Sequence, residues 1–212
     1  MDGVVVDSER HWRDVEAPYL VEHLPEARGV DQSKLTGLSV EGVYELMARE
    51  HGIRVGLPEF RRMYHTMARV IYEERCALMP GFLALAGAAR GEKLSVALVS
   101  SATREWIDTT LRRFRLSAVF DLVISADDVA GEGKPSPTIY RHAAERLGVS
   151  PRGCVALEDS CNGVRSAKAA GIACVALRNG FNEEQDLSAA DLEVRTLEKL
   201  STSDLRALIS DQ

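Results

Sequence analysis

Two adjacent acids, Glu158-Asp159, follow directly on the apolar run Val155-Ala156-Leu157, with a hydroxyl, Ser160, behind them. Carboxylates at the end of an apolar run are costly unless positive charge compensates them. Mg2+ is the natural candidate, because a hard cation prefers carboxylate, carbonyl and water oxygens. Ser100-Ser101 close a second apolar run, Leu94-Ser95-Val96-Ala97-Leu98-Val99. Lys134, in Gly133-Lys134-Pro135, follows a third, Asp121-Leu122-Val123-Ile124, and Asp2-Gly3 precede Val4-Val5-Val6. Each group also has an ordinary reading: a solvated turn with a helix-capping acid, a serine N-cap, a surface lysine. Brought to one edge of one sheet, they would instead supply a cationic point charge, a hydroxyl beside backbone N–H groups and a magnesium-binding pair. That combination describes a phosphoryl site.

Competing phosphate motifs fail on inspection. Gly131-Glu132-Gly133-Lys134-Pro135-Ser136 has the look of a Walker loop, but residue 128 is Asp where Gly is needed, and Pro135 stands where Ser or Thr should follow Lys. No GxGxxG follows a strand, and neither GxSxG nor HExxH occurs.

The elements that must carry these groups fall into two textures. From Ser8 to Cys76 apolar residues recur at helical spacing, as in Tyr44, Met47, Ala48 and again in Phe60, Met63, Tyr64, Met67, with breaks at Gly29, Gly37, Gly52 and Gly56-Leu57-Pro58. This predicts about four short helices. From Met79-Pro80-Gly81 onward strands alternate with helices: strands over residues 94–99, 121–124, 155–157, 172–177 and 192–194, and helices over 105–113, 137–147, 163–170 and 203–209. Such alternation predicts an α/β fold with a doubly wound parallel sheet covered on both faces, in which ligands bind beyond the carboxyl ends of the strands.

The composition agrees with a globular domain. The 212 residues are 45% apolar, 27% charged and 6% aromatic, with 26 Lys+Arg against 32 Asp+Glu and a formal net charge of −6. The apolar fraction excludes disorder, and without a basic surplus no nucleic-acid partner is expected. No apolar run reaches the roughly 18 residues of a membrane helix, and the opening residues do not read as a signal peptide. The four cysteines, Cys76, Cys154, Cys161 and Cys174, form no CxxC pair and are expected as reduced thiols of a cytoplasmic protein. No obligate protein partner is expected.

The four clusters, in their order, resemble the motifs of the haloacid dehalogenase (HAD) superfamily, in the branch of capped phosphatases and β-phosphoglucomutase-like enzymes. Asp2-Gly3-Val4-Val5-Val6-Asp7-Ser8-Glu9 resembles the tail of the first motif, DxDGxxxDSE. Val99-Ser100-Ser101 resembles the second, Gly133-Lys134-Pro135-Ser136-Pro137 the third and Leu157-Glu158-Asp159-Ser160 the fourth. The resemblance implies an HAD-like core over 1–8 and 77–212 and a helical cap over 9–76. It also implies a small phosphorylated metabolite as substrate. A nucleophilic aspartate would attack the phosphomonoester, and Asp2 would act as general acid and then base. Ser100, Ser101 and Lys134 would bind the phosphoryl oxygens, and Asp2, Glu158 and Asp159 would hold Mg2+.

One position departs from the pattern. Asp2 matches the second aspartate of DxDG, so the nucleophile falls one residue before Met1, and the chain as written is expected to be nearly inactive. A truncated start is the preferred explanation; a phospho-ligand-binding pseudoenzyme takes the absence at face value. The loop Leu35-Thr36-Gly37-Leu38-Ser39-Val40-Glu41 resembles the specificity loop of β-phosphoglucomutases, yet Thr36 and Val40 stand where those enzymes have basic residues. This favours a phosphatase over a sugar phosphomutase. His11, Trp12, His51 and Arg54 could line the cap face, with core packing or a solvated helix surface as the plainer reading of each.

Overall fold

The computed structural model describes residues 1–35, 38–129 and 132–210; Thr36 and Gly37 of the cap loop, and Gly131 of the Walker-like segment, lie outside the described residues. In chain order the elements are α1 (Ser8–His23), α2 (Val40–His51), α3 (Leu57–Val70), α4 (Phe82–Gly91), β1 (Ala97–Val99), α5 (Arg104–Phe114), β2 (Leu122–Ile124), α6 (Thr138–Leu147), β3 (Val155–Glu158), α7 (Cys161–Ala169), β4 (Ala173–Leu177), β5 (Leu192–Val194) and α8 (Thr202–Ser210).

All strand pairing between these elements is parallel. It forms two groups, β1 with β2 and β3-β4-β5, where the sequence suggests one continuous sheet. Residues 1–6 coil into a turn, with Val5 N donating to Met1 O at 2.8 Å, and form no strand; their bridges are isolated, Asp2 with Val6 and Val6 with Leu78, and Met79 N donates to Val5 O at 2.9 Å. The two groups nevertheless share one interior. Leu98, Val175 and Leu177 pack in the same cluster as Val4 to Val6, while Ile124, Ala156 and Cys174 meet in another beneath α6 and α7. Strand β4 is buried along its whole length, as a parallel strand covered on both faces must be, and its sequence is apolar throughout. The structure is thus an α/β, Rossmann-like core with a helical cap.

Helices α1 to α3 bury Leu20, Met47, Phe60, Tyr64 and Met67 against one another. Three α-helices, two 3-10 turns and a π turn, Ile71–Arg75, stand where the spacing predicts about four helices. The π turn brings the chain back to the core. Arg113 of α5 donates to Tyr72 O at 2.8 Å and Glu74 O at 3.1 Å, satisfying carbonyls that the helix end would leave open. Helix α4 is an element the sequence analysis lacks, and β1 begins at Ala97, three residues later than expected.

Candidate functional site

A cleft of about 930 Å3, counting its open mouth, lies between the cap helices and the carboxyl ends of β1 and β3. Asp2, Ser100, Ser101, Lys134, Glu158 and Asp159 all line it, so the six residues singled out from sequence meet in one place.

Each is held by a local reason. The turn at residues 2–3 needs Gly3, whose φ is +65°; a Cβ there would sit 1.7 Å from Asp159 Oδ2. The turn aims the Asp2 carboxylate toward the cap. Its Oδ1 accepts from Ser8 Oγ at 2.5 Å and from Tyr72 OH at 2.6 Å. Burial, followed by the neighbouring Asp2 charge, pushes the Tyr72 phenol well above its ordinary range, so it remains a donor. Ser100 Oγ accepts from Ala102 N at 3.1 Å, leaving its hydroxyl hydrogen to donate elsewhere. It does not cap α5, which starts at Arg104 after Thr103.

Lys134 is buried and donates to Glu158 Oε1 and to Val99 O at 3.4 Å; Tyr140 OH donates to the same Glu158 oxygen. Gly163 makes room for that carboxylate: a Cβ there would lie 1.8 Å from Glu158 Oε2. The acids are not helix caps either. Ser160 caps α7 through Gly163 N at 3.0 Å, which leaves both carboxylates at the strand end for other work.

Asp159 is fixed by two asparagines. Asn182 Nδ2 donates to Asp159 O at 2.6 Å and to Leu177 O at 2.9 Å, and Asn179 Nδ2 donates to Gly3 O at 3.2 Å and Asp159 Oδ2 at 3.1 Å. Burial, then the charge of Glu158, raises the Asp159 carboxyl to about 7. Burial, followed by Asp159 and Asp2, likewise raises Glu9 well above the carboxylate range. Five carboxyl groups (Asp2, Glu9, Glu16, Glu158, Asp159) face two cationic side chains, Arg13 and Lys134, among the residues described along the cleft. Both cations are already engaged, Arg13 with Glu184 at 2.6 Å and Lys134 with Glu158. The donor set is all oxygen and too negative for its surroundings, which suits a hard cation. Among the described residues no three His, Cys, Asp or Glu side chains form a ready-made metal cluster. A cation here would therefore draw on backbone and water oxygens beside the acids.

The cap supplies the far wall: Glu9, Trp12, Arg13 and Glu16 of α1, Leu38, Val40 and Val43 around the start of α2, Tyr64 of α3, and Tyr72 beyond it; Trp106 of α5 joins them. Trp12 stacks on Tyr64 and packs against Tyr72 and Trp106, with ring centroids 5.8, 6.2 and 5.5 Å away. Of the four cap candidates, Trp12 alone reaches the cleft among its described lining residues. His11 pairs with Asp7 at 3.8 Å, and Arg54 is an exposed partner of Glu26 at 3.6 Å. The sequence reading lacks Glu16, Tyr64, Asn179 and Asn182. The signal for Glu16 was present: Glu9, Trp12, Arg13 and Glu16 recur at intervals of three, one and three residues, one stripe along α1. The cysteines are free thiols.

A family model described as "haloacid dehalogenase-like hydrolase" matches residues 1–171. Hexitol phosphatase B of Escherichia coli (strain K12) is 30% identical over 213 residues, 97% of this chain and 93% of its own. The crystal structure of CbbY from Rhodobacter sphaeroides in complex with phosphate superposes with a TM-score of 0.80 at 25% identity, covering 97% of this chain and 96% of that one. β-Phosphoglucomutase from Clostridium difficile shares the fold, with a TM-score of 0.76 at 20% identity over 99% and 94% of the two chains.

Proposed function

We infer the activity from family membership: this chain belongs to the haloacid dehalogenase-like hydrolases, on the capped phosphatase branch, and is an enzyme. Its reaction is the Mg2+-dependent hydrolysis of a small phosphomonoester, such as a sugar phosphate, through an aspartyl-phosphate. The observation that carries this reading is the convergence of Ser100, Lys134, Asp2 and Asp159 on one cleft whose carboxyl groups outnumber its cationic side chains among the described lining residues.

The roles follow from the contacts. Ser100 Oγ and the Ser101 amide bind phosphoryl oxygens, and Lys134, oriented by Glu158 and Tyr140, offsets their charge. The nucleophilic aspartate of the family's first motif would align one position before Met1. Asp2, oriented by Ser8 and Tyr72, gives its proton to the leaving oxygen and then takes one from the water that releases phosphate. Asp159, the Asp2 carbonyl and, through water, Glu158 would hold Mg2+, which when bound neutralises charge on the transferring phosphoryl group. Residues 1–8 and 77–212 act as the core and 9–76 as the cap that excludes water and selects substrate. Val40, buried at the start of α2 and apolar, offers no grip on a second phosphate, which favours hydrolysis over mutase chemistry.

The test compares phosphate release from sugar phosphates and phosphoglycolate, with Mg2+ and with EDTA, by the 212-residue chain and by the same chain carrying aspartate ahead of Met1. The expected result is Mg2+-dependent release by the extended protein and little by the shorter one. Release that persists in EDTA, or full turnover without the added aspartate, overturns the mechanism.

A further inference from the structure

The cap wall of the cleft holds a group the mechanism above does not use. Glu16, on α1, is only 8% exposed yet lines the cleft. Its Oε1 accepts from Tyr64 OH at 2.5 Å. Its other oxygen, Oε2, has no protein partner among the described residues, on a side chain that lines the cleft. A buried acceptor left open beside aromatic walls is expensive unless something else satisfies it.

We propose that Glu16, backed by Tyr64 and flanked by the Trp12 ring, is a hydroxyl-reading subsite that selects monophosphorylated substrates whose remaining part is a neutral polyhydroxy chain or ring. The proposal rests on the phosphomonoester reading of the rim and adds what the cap recognises. A polyol hydroxyl can donate to Oε2, and its C–H face can lie on the indole of Trp12, which stacks on Tyr64 at 5.8 Å. A second phosphate meets the opposite conditions. Glu9 and Glu16 present acids on the same stripe of α1, and the cationic side chain on that stripe, Arg13, is held by Glu184 at 2.6 Å. A second phosphate would have to leave water against the Trp12 and Tyr64 rings, which offer its charge no partner, the negative half of specificity.

The two tryptophans of the chain, Trp12 and Trp106, both line the cleft, so their fluorescence reports occupancy without turnover. The 212-residue protein is titrated in Mg2+ with inorganic phosphate, a hexitol 6-phosphate and a hexose 1,6-bisphosphate, beside Glu16→Gln and Glu16→Leu; circular dichroism verifies each fold. The expected result is a hexitol phosphate bound at least about tenfold tighter than phosphate, with the bisphosphate weaker than the monophosphate. Glu16→Leu should erase about tenfold of that preference while leaving phosphate affinity unchanged, and Glu16→Gln, which keeps a carbonyl acceptor, should retain part of it. An unchanged preference in Glu16→Leu, or a bisphosphate bound more tightly than the monophosphate, overturns the subsite while leaving the phosphomonoester reading intact. Failure of wild-type protein to bind inorganic phosphate overturns that underlying reading, and the subsite with it.

Discussion

Replacing Glu16 by Gln should stabilise the protein at alkaline pH and leave it nearly unchanged in acid. Burial raises the Glu16 carboxyl from 4.5 to about 7. The displacement corresponds to about 3 kcal/mol. Between those two values the folded protein binds a proton that the unfolded chain has released, so stability falls as pH rises through that window and is fully present below 4.5. Gln has no proton to lose, and its carbonyl still accepts from Tyr64. In EDTA, urea unfolding followed by circular dichroism should show wild type and Glu16→Gln alike near pH 4.5, then diverging until the variant leads by about 3 kcal/mol above pH 7. Asp159, also raised to about 7, is present in both proteins and cancels in the difference. A stability difference that does not change between pH 4.5 and 8, or one that favours wild type at pH 8, would refute the claim that this acid is buried against its charge.

Other substitutions probe the rim. Lys134→Met strands Glu158 in the interior with Tyr140 as its remaining donor, and should cost about 3–5 kcal/mol in urea unfolding. Gly3→Ala must displace Asp159, whose Oδ2 would be 1.7 Å from the new Cβ, so Mg2+-dependent phosphate binding should fall together with the melting temperature. Asn182→Ala removes the donor from two buried carbonyls, those of Asp159 and Leu177, and should cost about 2–4 kcal/mol; an unchanged unfolding midpoint would show that Asn182 does not hold the Asp159 segment. Adding Mg2+ to wild type should raise the melting temperature, because the ion binds the folded state alone, and the gain should vanish in Asp159→Asn.

The chemistry at the strand ends was legible because motif and topology coincide. Glu158-Asp159 follows an apolar strand, and a parallel sheet brings its strand ends to one rim. The rest depended on packing that no local pattern states. Asn179 and Asn182 lie in an irregular segment after β4, and their hydrogen bonds to Asp159 bridge about twenty residues. Tyr64 meets Glu16 across 48 residues, a pairing fixed by how α1 and α3 cross. Helix α4 escaped because its Ala- and Leu-rich sequence, apolar on several sides, shows no clean stripe against which a period can be read. The two-part sheet was equally hidden: Val4-Val5-Val6 is apolar enough for a strand, yet the Gly3 turn coils these residues under Met1 O.

The central claim is that the acids and Lys134 form a phosphate site completed by a divalent cation. Calorimetric titration of inorganic phosphate into the 212-residue protein, in Mg2+ and again in EDTA, tests it most directly. Saturable binding in Mg2+, absent in EDTA and lost in Asp159→Asn, is the predicted result; equal binding in both buffers, or binding untouched by that substitution, would contradict it.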